Sequence, residues 1–157
     1  MKPYFIRPAT REDAVYIASN LRSQDRDEVV ALTGLDPRAV IPAYVDEGRE
    51  VQVGGIVGKE PVIIFGADPI FMEESAAVIW MLSTPVLYDY PVEFVTASRK
   101  IWDDYHARYE LLTNFTDARN TRHHKWLKWL GAHFIRRVDK FGAQSLPFLE
   151  FASYRCA

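Results

Sequence analysis

A single cysteine, Cys156, stands in the 157 residues, so no disulfide can close within the chain and no thiolate metal site can be built. That usage fits synthesis in a reducing cytoplasm. Long apolar runs are missing as well. The longest, Ala76–Leu82, is far short of the roughly 20 residues that cross a bilayer, and no apolar segment follows Met1-Lys2-Pro3-Tyr4 as a signal peptide for secretion would require. Neither sign of charge is in excess: 19 Lys and Arg against 21 Asp and Glu leave a formal net charge of −2, and no global pull toward nucleic acid or an anionic membrane follows. Repeats, linkers and low-complexity tracts are absent. Glycine disappears between Gly66 and Gly131, which excludes a glycine-rich phosphate loop from the middle of the chain.

What remains is ordinary globular material, 48% hydrophobic and 13% aromatic, enough for one ring-rich core in one domain spanning 1–157. Tyr4-Phe5-Ile6-Arg7 predicts a strand stopped by Pro8. Thr10-Arg11-Glu12-Asp13 resembles a capping box, followed by Ala14, Ile17, Ala18 and Leu21 at helical spacing. A second helix is expected from about Asp25 to Leu32, ending at Gly34, and a third opens at Asp36-Pro37 and ends near Gly48. The period then shortens. Strands are expected at Val51–Val57, Val62–Phe65 and Ala76–Leu82, with connections at Gly58–Pro61 and at Asp68-Pro69 with Glu73-Glu74. A helix from Pro91 to about Tyr109, a strand at Tyr109–Phe115 and a helix capped by Asn120 and ended by Gly131 follow. The last helix carries His123, Trp126, Leu127 and Leu130 on one face, which predicts Leu127 and Leu130 buried and Lys125 and Lys128 exposed. Phe134–Val138 and Phe148–Phe151 close the chain as a strand pair. This order predicts an α/β fold, a mixed sheet of about six to seven strands covered by helices on both faces.

That order, with two local patches, resembles the GNAT (acetyl-CoA-dependent N-acetyltransferase) superfamily. Phe5-Ile6-Arg7-Pro8-Ala9-Thr10 with Asp13 and Ile17 looks like its first strand and helix. Asn120-x-x-His123-x-x-Trp126-Leu127-x-x-Leu130-Gly131-x-x-Phe134 looks like its late motif. The late segment, the short length and the arginine-rich strand after it also resemble a narrower group, the GNAT-like internal virion protein A family of short-tailed bacteriophages. The resemblance implies acetyl-CoA as cofactor, a cleft between strands four and five that diverge in parallel, and a phosphate-binding loop after strand four. The narrower one implies a phage protein made in the host cytoplasm and packaged in the virion interior, with other virion proteins as partners.

The site implied by the resemblance is altered here. Its pyrophosphate loop needs glycines, because backbone N–H groups must approach the phosphates at a helix N-terminus. The corresponding stretch, Ser83 to Pro91, holds two prolines and Asp89 and no glycine. Cofactor contacts are therefore expected from Leu82, Ser83, Thr84, Arg119, Asn120 and Arg122, and binding of acetyl-CoA is expected to be weak or absent. The tyrosine that in the family protonates the leaving thiolate is replaced by Leu127, which has no proton to give. Tyr88, Tyr90 or His123 is the alternative donor, against packing roles for each. Glu28, Asp68 and Glu73 are candidate general bases, against a reading as solvated charges. His123-His124 points to no metal, since neighbouring helix positions diverge by about 100°. Arg119, Arg122, Lys125, Lys128, Arg136, Arg137 and Lys140 cluster late in the chain, either as a solvated face or as contacts to CoA phosphates, an acidic partner or a nucleic-acid backbone. The function expected first is a virion-associated structural or interaction protein with a degenerate site; the alternative is a divergent N-acetyltransferase with an unidentified amine acceptor.

Overall fold

Thr10 opens the first helix of the computed structural model, which describes residues 1–156, in the expected way: its hydroxyl accepts the Asp13 N–H, and the Asp13 carboxylate accepts the Thr10 N–H. The elements run β1 (Tyr4–Pro8), α1 (Arg11–Ser19), α2 (Ser23–Thr33), α3 (Pro37–Asp46), β2 (Val51–Ile56), β3 (Pro61–Ile70) and β4 (Glu73–Ser83). A 3-10 turn at Pro85–Asp89 then leads to α4 (Pro91–Arg108), β5 (Leu111–Asp117), α5 (Thr121–Leu130), β6 (His133–Phe141) and β7 (Leu146–Tyr154). Gly34 and Gly131 end α2 and α5 with φ of 71° and 108°, a left-handed conformation that glycine adopts without steric cost.

Among the described residues the strands form one sheet in the order β1-β2-β3-β4-β5-β7-β6, antiparallel except where β4 meets β5. Alternation along the strands splits the core in two. Phe65, Ala77, Leu112 and Phe151 face α4 and α5, packing with Trp102, Tyr105, Leu127 and Leu130. Val51, Val53, Ile64 and Leu82 face the other way, against Ala14, Ile17, Val29 and Ile41 of α1 to α3. Leu127 and Leu130 are buried, and Lys125 and Lys128 are exposed.

Several boundaries differ from expectation, among them those of β6 and β7, which run longer at both ends. Asp68-Pro69 and Glu73-Glu74 are not a connection: β3 runs through to Ile70 and β4 starts at Glu73, leaving Phe71-Met72 as the turn. The proline is tolerated because the ladder shifts register between Pro69 and Ile70, where no regular N–H bond is needed. Strand five begins at Leu111 and runs on to Asp117.

The β6–β7 loop reaches back across the molecule to α2. Ala143 N–H and Gln144 N–H donate to the Leu32 and Ala31 carbonyls, 3.0 and 3.1 Å. These bonds satisfy carbonyls that the end of a helix otherwise leaves free. Gly142 permits the approach: with φ of 70°, any Cβ there would lie 2.7 Å from the Ala31 carbonyl oxygen.

Candidate functional site

β4 and β5 pair only from Ala76 to Val78 and from Leu111 to Thr113; both continue beyond, so a gap opens between them. Alternation along β4 decides which groups line it. Thr84 N–H donates to Val62 on the β3 side, so the odd-numbered N–H groups before it point into the gap. The Asn114 side chain donates to the Ile79 carbonyl at 2.8 Å and closes the narrow end. At the wide end Asp25 accepts the Ser83 N–H at 2.8 Å and its hydroxyl at 3.2 Å. Between these two, the register leaves the Met81 N–H and C=O without a strand partner on the gap side.

Two acids from α2 reach into the wide end. Asp25 is buried and held by both nitrogens of the Arg22 fork, at 3.0 and 2.7 Å. Glu28 accepts the Asp117 N–H at 2.9 Å, at the end of β5. Its carboxyl is desolvated and faces the charges of Asp25 and Asp117, which together push its pKa up to about 7. Glu28 is half-buried, and its raised pKa lets it exchange a proton near neutrality. Asp117 itself stays ionised, because the Arg119 guanidinium at 2.6 Å more than offsets its burial.

The two other candidate bases lie elsewhere. Asp68 sits on β3 opposite Val78, ion-paired with Arg49 and accepting the Trp80 indole N–H at 3.2 Å. Glu73 is exposed at the start of β4, accepting the Ser75 hydroxyl at 2.6 Å.

On the α4/α5 side, two recesses meet at Met81, His123 and Trp126. One, about 40 Å³, runs inward past Ser98 and Tyr105; the other, about 220 Å³, opens between the 3-10 turn, α4 and α5 and is lined by Arg22, Tyr88 and Arg122. Desolvation drives the His123 imidazole down to about 4, so it is neutral at physiological pH and has no proton to donate there as imidazolium. Partial burial pushes the Tyr88 phenol up, but the Arg22 guanidinium, donating at 3.1 Å, and Arg122 over the ring outweigh it and hold the phenol below its ordinary value.

Two of the residues expected to contact a cofactor carry buried polar atoms with no partner: the Thr84 hydroxyl, and the Asn120 side-chain nitrogen, whose amide oxygen caps α5 by accepting the His123 N–H. Such orphans cost free energy unless something else satisfies them, but neither residue lines the two recesses. A pyrophosphate fits poorly. The Leu87 and Tyr90 N–H groups are spent inside the connection on Thr84 and Leu87 carbonyls, and the Glu93 carboxylate, bonded to the Lys2 N–H, already places negative charge in the first turn of α4. Leu82 is a core residue, Ser83 is bound to Asp25 and Arg119 to Asp117, so Arg122 is left as the exposed cation beside the larger recess.

The late basic segment is not a continuous cationic stripe, since Arg119, Arg136 and Arg137 are neutralised by Asp117, Glu150 and Asp139. Among the described residues no helix is long and apolar enough to cross a membrane.

No protein-family model matches the sequence, and no curated protein matches it either. Solved structures do. A GNAT-family acetyltransferase from Bacillus anthracis superposes with a TM-score of 0.72 over 98% of this chain and 96% of its own, at 12% identity. YncA from Salmonella typhimurium, solved with its cofactor acetyl-CoA, gives 0.64 over 98% and 94% at 11% identity. A ribosomal-protein-alanine N-acetyltransferase from Brucella melitensis gives 0.67 over 96% and 99% at 15% identity. The chain therefore has the GNAT fold, and the broader of the two resemblances read from the sequence is the one these structures support. Fold alone does not carry chemistry, which has to be argued from the gap and the groups around it.

Proposed function

We propose that the chain is a divergent N-acyltransferase in which Glu28 is the general base and the free edge of β4 at Met81 receives the pantetheine arm of an acyl-CoA. The observation that carries this reading is the parting of β4 and β5 with Glu28, raised to about 7, at the mouth of the gap. Bound there, acetyl-CoA would supply an acyl thioester. Met81 N–H and C=O would hold the arm, and Arg122 would meet its phosphates in place of a glycine loop. Glu28 takes the proton from the acceptor ammonium, freeing the nitrogen lone pair for attack on the thioester carbon. Tyr88 returns a proton to the departing sulfur: its oxygen already accepts from Arg22, so its own O–H is free to donate, and its lowered pKa matches a thiol better than an ordinary phenol does.

The competing reading, a non-catalytic protein of a phage virion, draws on the β4–α4 connection, which offers no backbone cradle for phosphate. A thiol-release assay with acetyl-CoA and a panel of primary amines separates the two. Acyl transfer reduced at least about 100-fold by Glu28→Gln supports the enzyme. Absence of transfer to every amine class, with the folded protein intact, overturns the enzyme reading.

A further inference from the structure

A second cleft, of about 480 Å³, lies on the far side of Trp102 and Leu130, which line both it and the smaller recess at the gap. It is bounded by the C-terminal half of α4, the start of β6 and the end of β7, and the volume is in the range of small-molecule sites. Its floor holds a hydrogen-bonded chain that the acyltransferase reading does not use. His106 Nε2 is 2.9 Å from the Ser153 hydroxyl, and His106 Nδ1 faces the Tyr109 carbonyl at 3.4 Å.

The carbonyl oxygen can only accept, so it places the proton on Nδ1. Nε2 is then a lone pair, and the Ser153 O–H must be the donor. Burial lowers the imidazole pKa, which keeps this neutral, basic form in place at physiological pH. The Trp102 ring, edge-on at 5.7 Å between centroids, and the Tyr109 carbonyl together fix the imidazole plane. A serine donating to an oriented imidazole is the arrangement that activates a hydroxyl nucleophile. Arg99, Arg155, His133 and Asp103 line the same cleft, and Arg155 is also ion-paired with Glu110. Arg99 and Arg155 each spend nitrogens on the carbonyls that end α5 and α4, so they are held rigidly rather than free in solvent.

We propose that Ser153 and His106 form a second, hydrolytic site, acting on small esters that carry an anionic group. Ser153 Oγ attacks the ester carbonyl carbon while its proton passes to His106 Nε2. The carbon–oxygen bond to the alcohol breaks, and the alcohol leaves with that proton, so Ser153 is acylated. Water, deprotonated at the same nitrogen, cleaves the acyl–serine ester, releases the acid and restores the hydroxyl. Arg99 and Arg155 outnumber Asp103 in the lining, and that positive excess selects the anionic ester. No part of this depends on the gap between β4 and β5.

The test is labelling of the full chain with a fluorophosphonate probe, with the adduct located by peptide mass spectrometry, beside hydrolysis of p-nitrophenyl acetate and its succinate monoester. The expected result is one adduct, on Ser153, absent from Ser153→Ala and formed at least about 100-fold more slowly in His106→Gln, with the succinate ester preferred. No adduct, an adduct on another residue, or His106→Gln labelling at the wild-type rate overturns the site; preference for the acetate overturns the anionic specificity. The position of the adduct in the unmodified chain decides the nucleophile even where a variant folds poorly.

Discussion

Glu28 and His123 flank one gap and titrate in opposite senses. Glu28 keeps in the folded state a proton that the unfolded chain has released, from its ordinary value of 4.5 up to about 7. Stability contributed at this residue therefore falls as pH rises through that window and is level above it. His123, driven down to about 4, is neutral in the fold where the unfolded chain is protonated, so its contribution is lost as pH falls from 6.5 toward 4. Between about 4.5 and 6.5 the two slopes oppose each other and wild-type stability hides both. Glu28→Gln should gain on wild type as pH is raised from 5 to 8, by at most about 3 kcal/mol, while losing transfer activity. His123→Leu should gain on wild type as pH is lowered from 6.5 to 4. Urea unfolding of the three proteins at several pH values reads both effects, and parallel curves would show that neither group is desolvated as described.

At the scale of elements, α5 shows what a sequence pattern can and cannot carry. Its apolar stripe, its Asn120 cap and its Gly131 end are all visible in the residues, and Leu127 is 1% exposed as the stripe requires. Leu127→Ala should cost about 2–5 kcal/mol, read by denaturant unfolding; a shift below about 0.5 kcal/mol would mean that the helix face is misassigned. α2 is the contrary case. Asp25 and Glu28 stand beside Val29 at i, i+3 and i+4, and charges next to a buried apolar position are the signal that they point inward. Taken one at a time they look like solvated acids, because what desolvates them is a gap between two strands far along the chain. The His106–Ser153 pair had no local signal at all: its members are 47 positions apart and meet only through the sheet. Asp68-Pro69 misled in the opposite direction, since a proline at a register shift reads locally as a turn.

For the whole molecule, the layout of the sheet and its two helical layers was legible in the order of elements, whereas the affinity of the gap depends on which backbone donors are already spent. Hydrogen bonds to charged groups contribute roughly 1.5–3 kcal/mol each, and in the β4–α4 connection Pro85 and Pro91 lack an N–H while those of Leu87 and Tyr90 are already spent. Acetyl-CoA is expected to bind with Kd no tighter than about 100 μM at moderate salt. Arg122→Glu should weaken it further, and Glu28→Gln should leave it unchanged. Titration calorimetry decides this: low-micromolar binding that survives Arg122→Glu would place the phosphates elsewhere.

The clasp between α2 and the β6–β7 loop bears on the order in which this protein becomes functional. Leu32 is synthesised more than a hundred residues before Ala143, the residue that donates to it. While the middle of the chain is being made, α2 has no such partner at its C-terminal end, and β5 lacks the strand that lies beside it in the finished sheet. Ser83 and Asp117 bind Asp25 and Glu28 once β4 and β5 exist, but the C-terminal end of their helix is clasped only after Ala143 and Gln144 have been made. A nascent chain therefore holds its acidic groups before the clasp at the end of their helix can form.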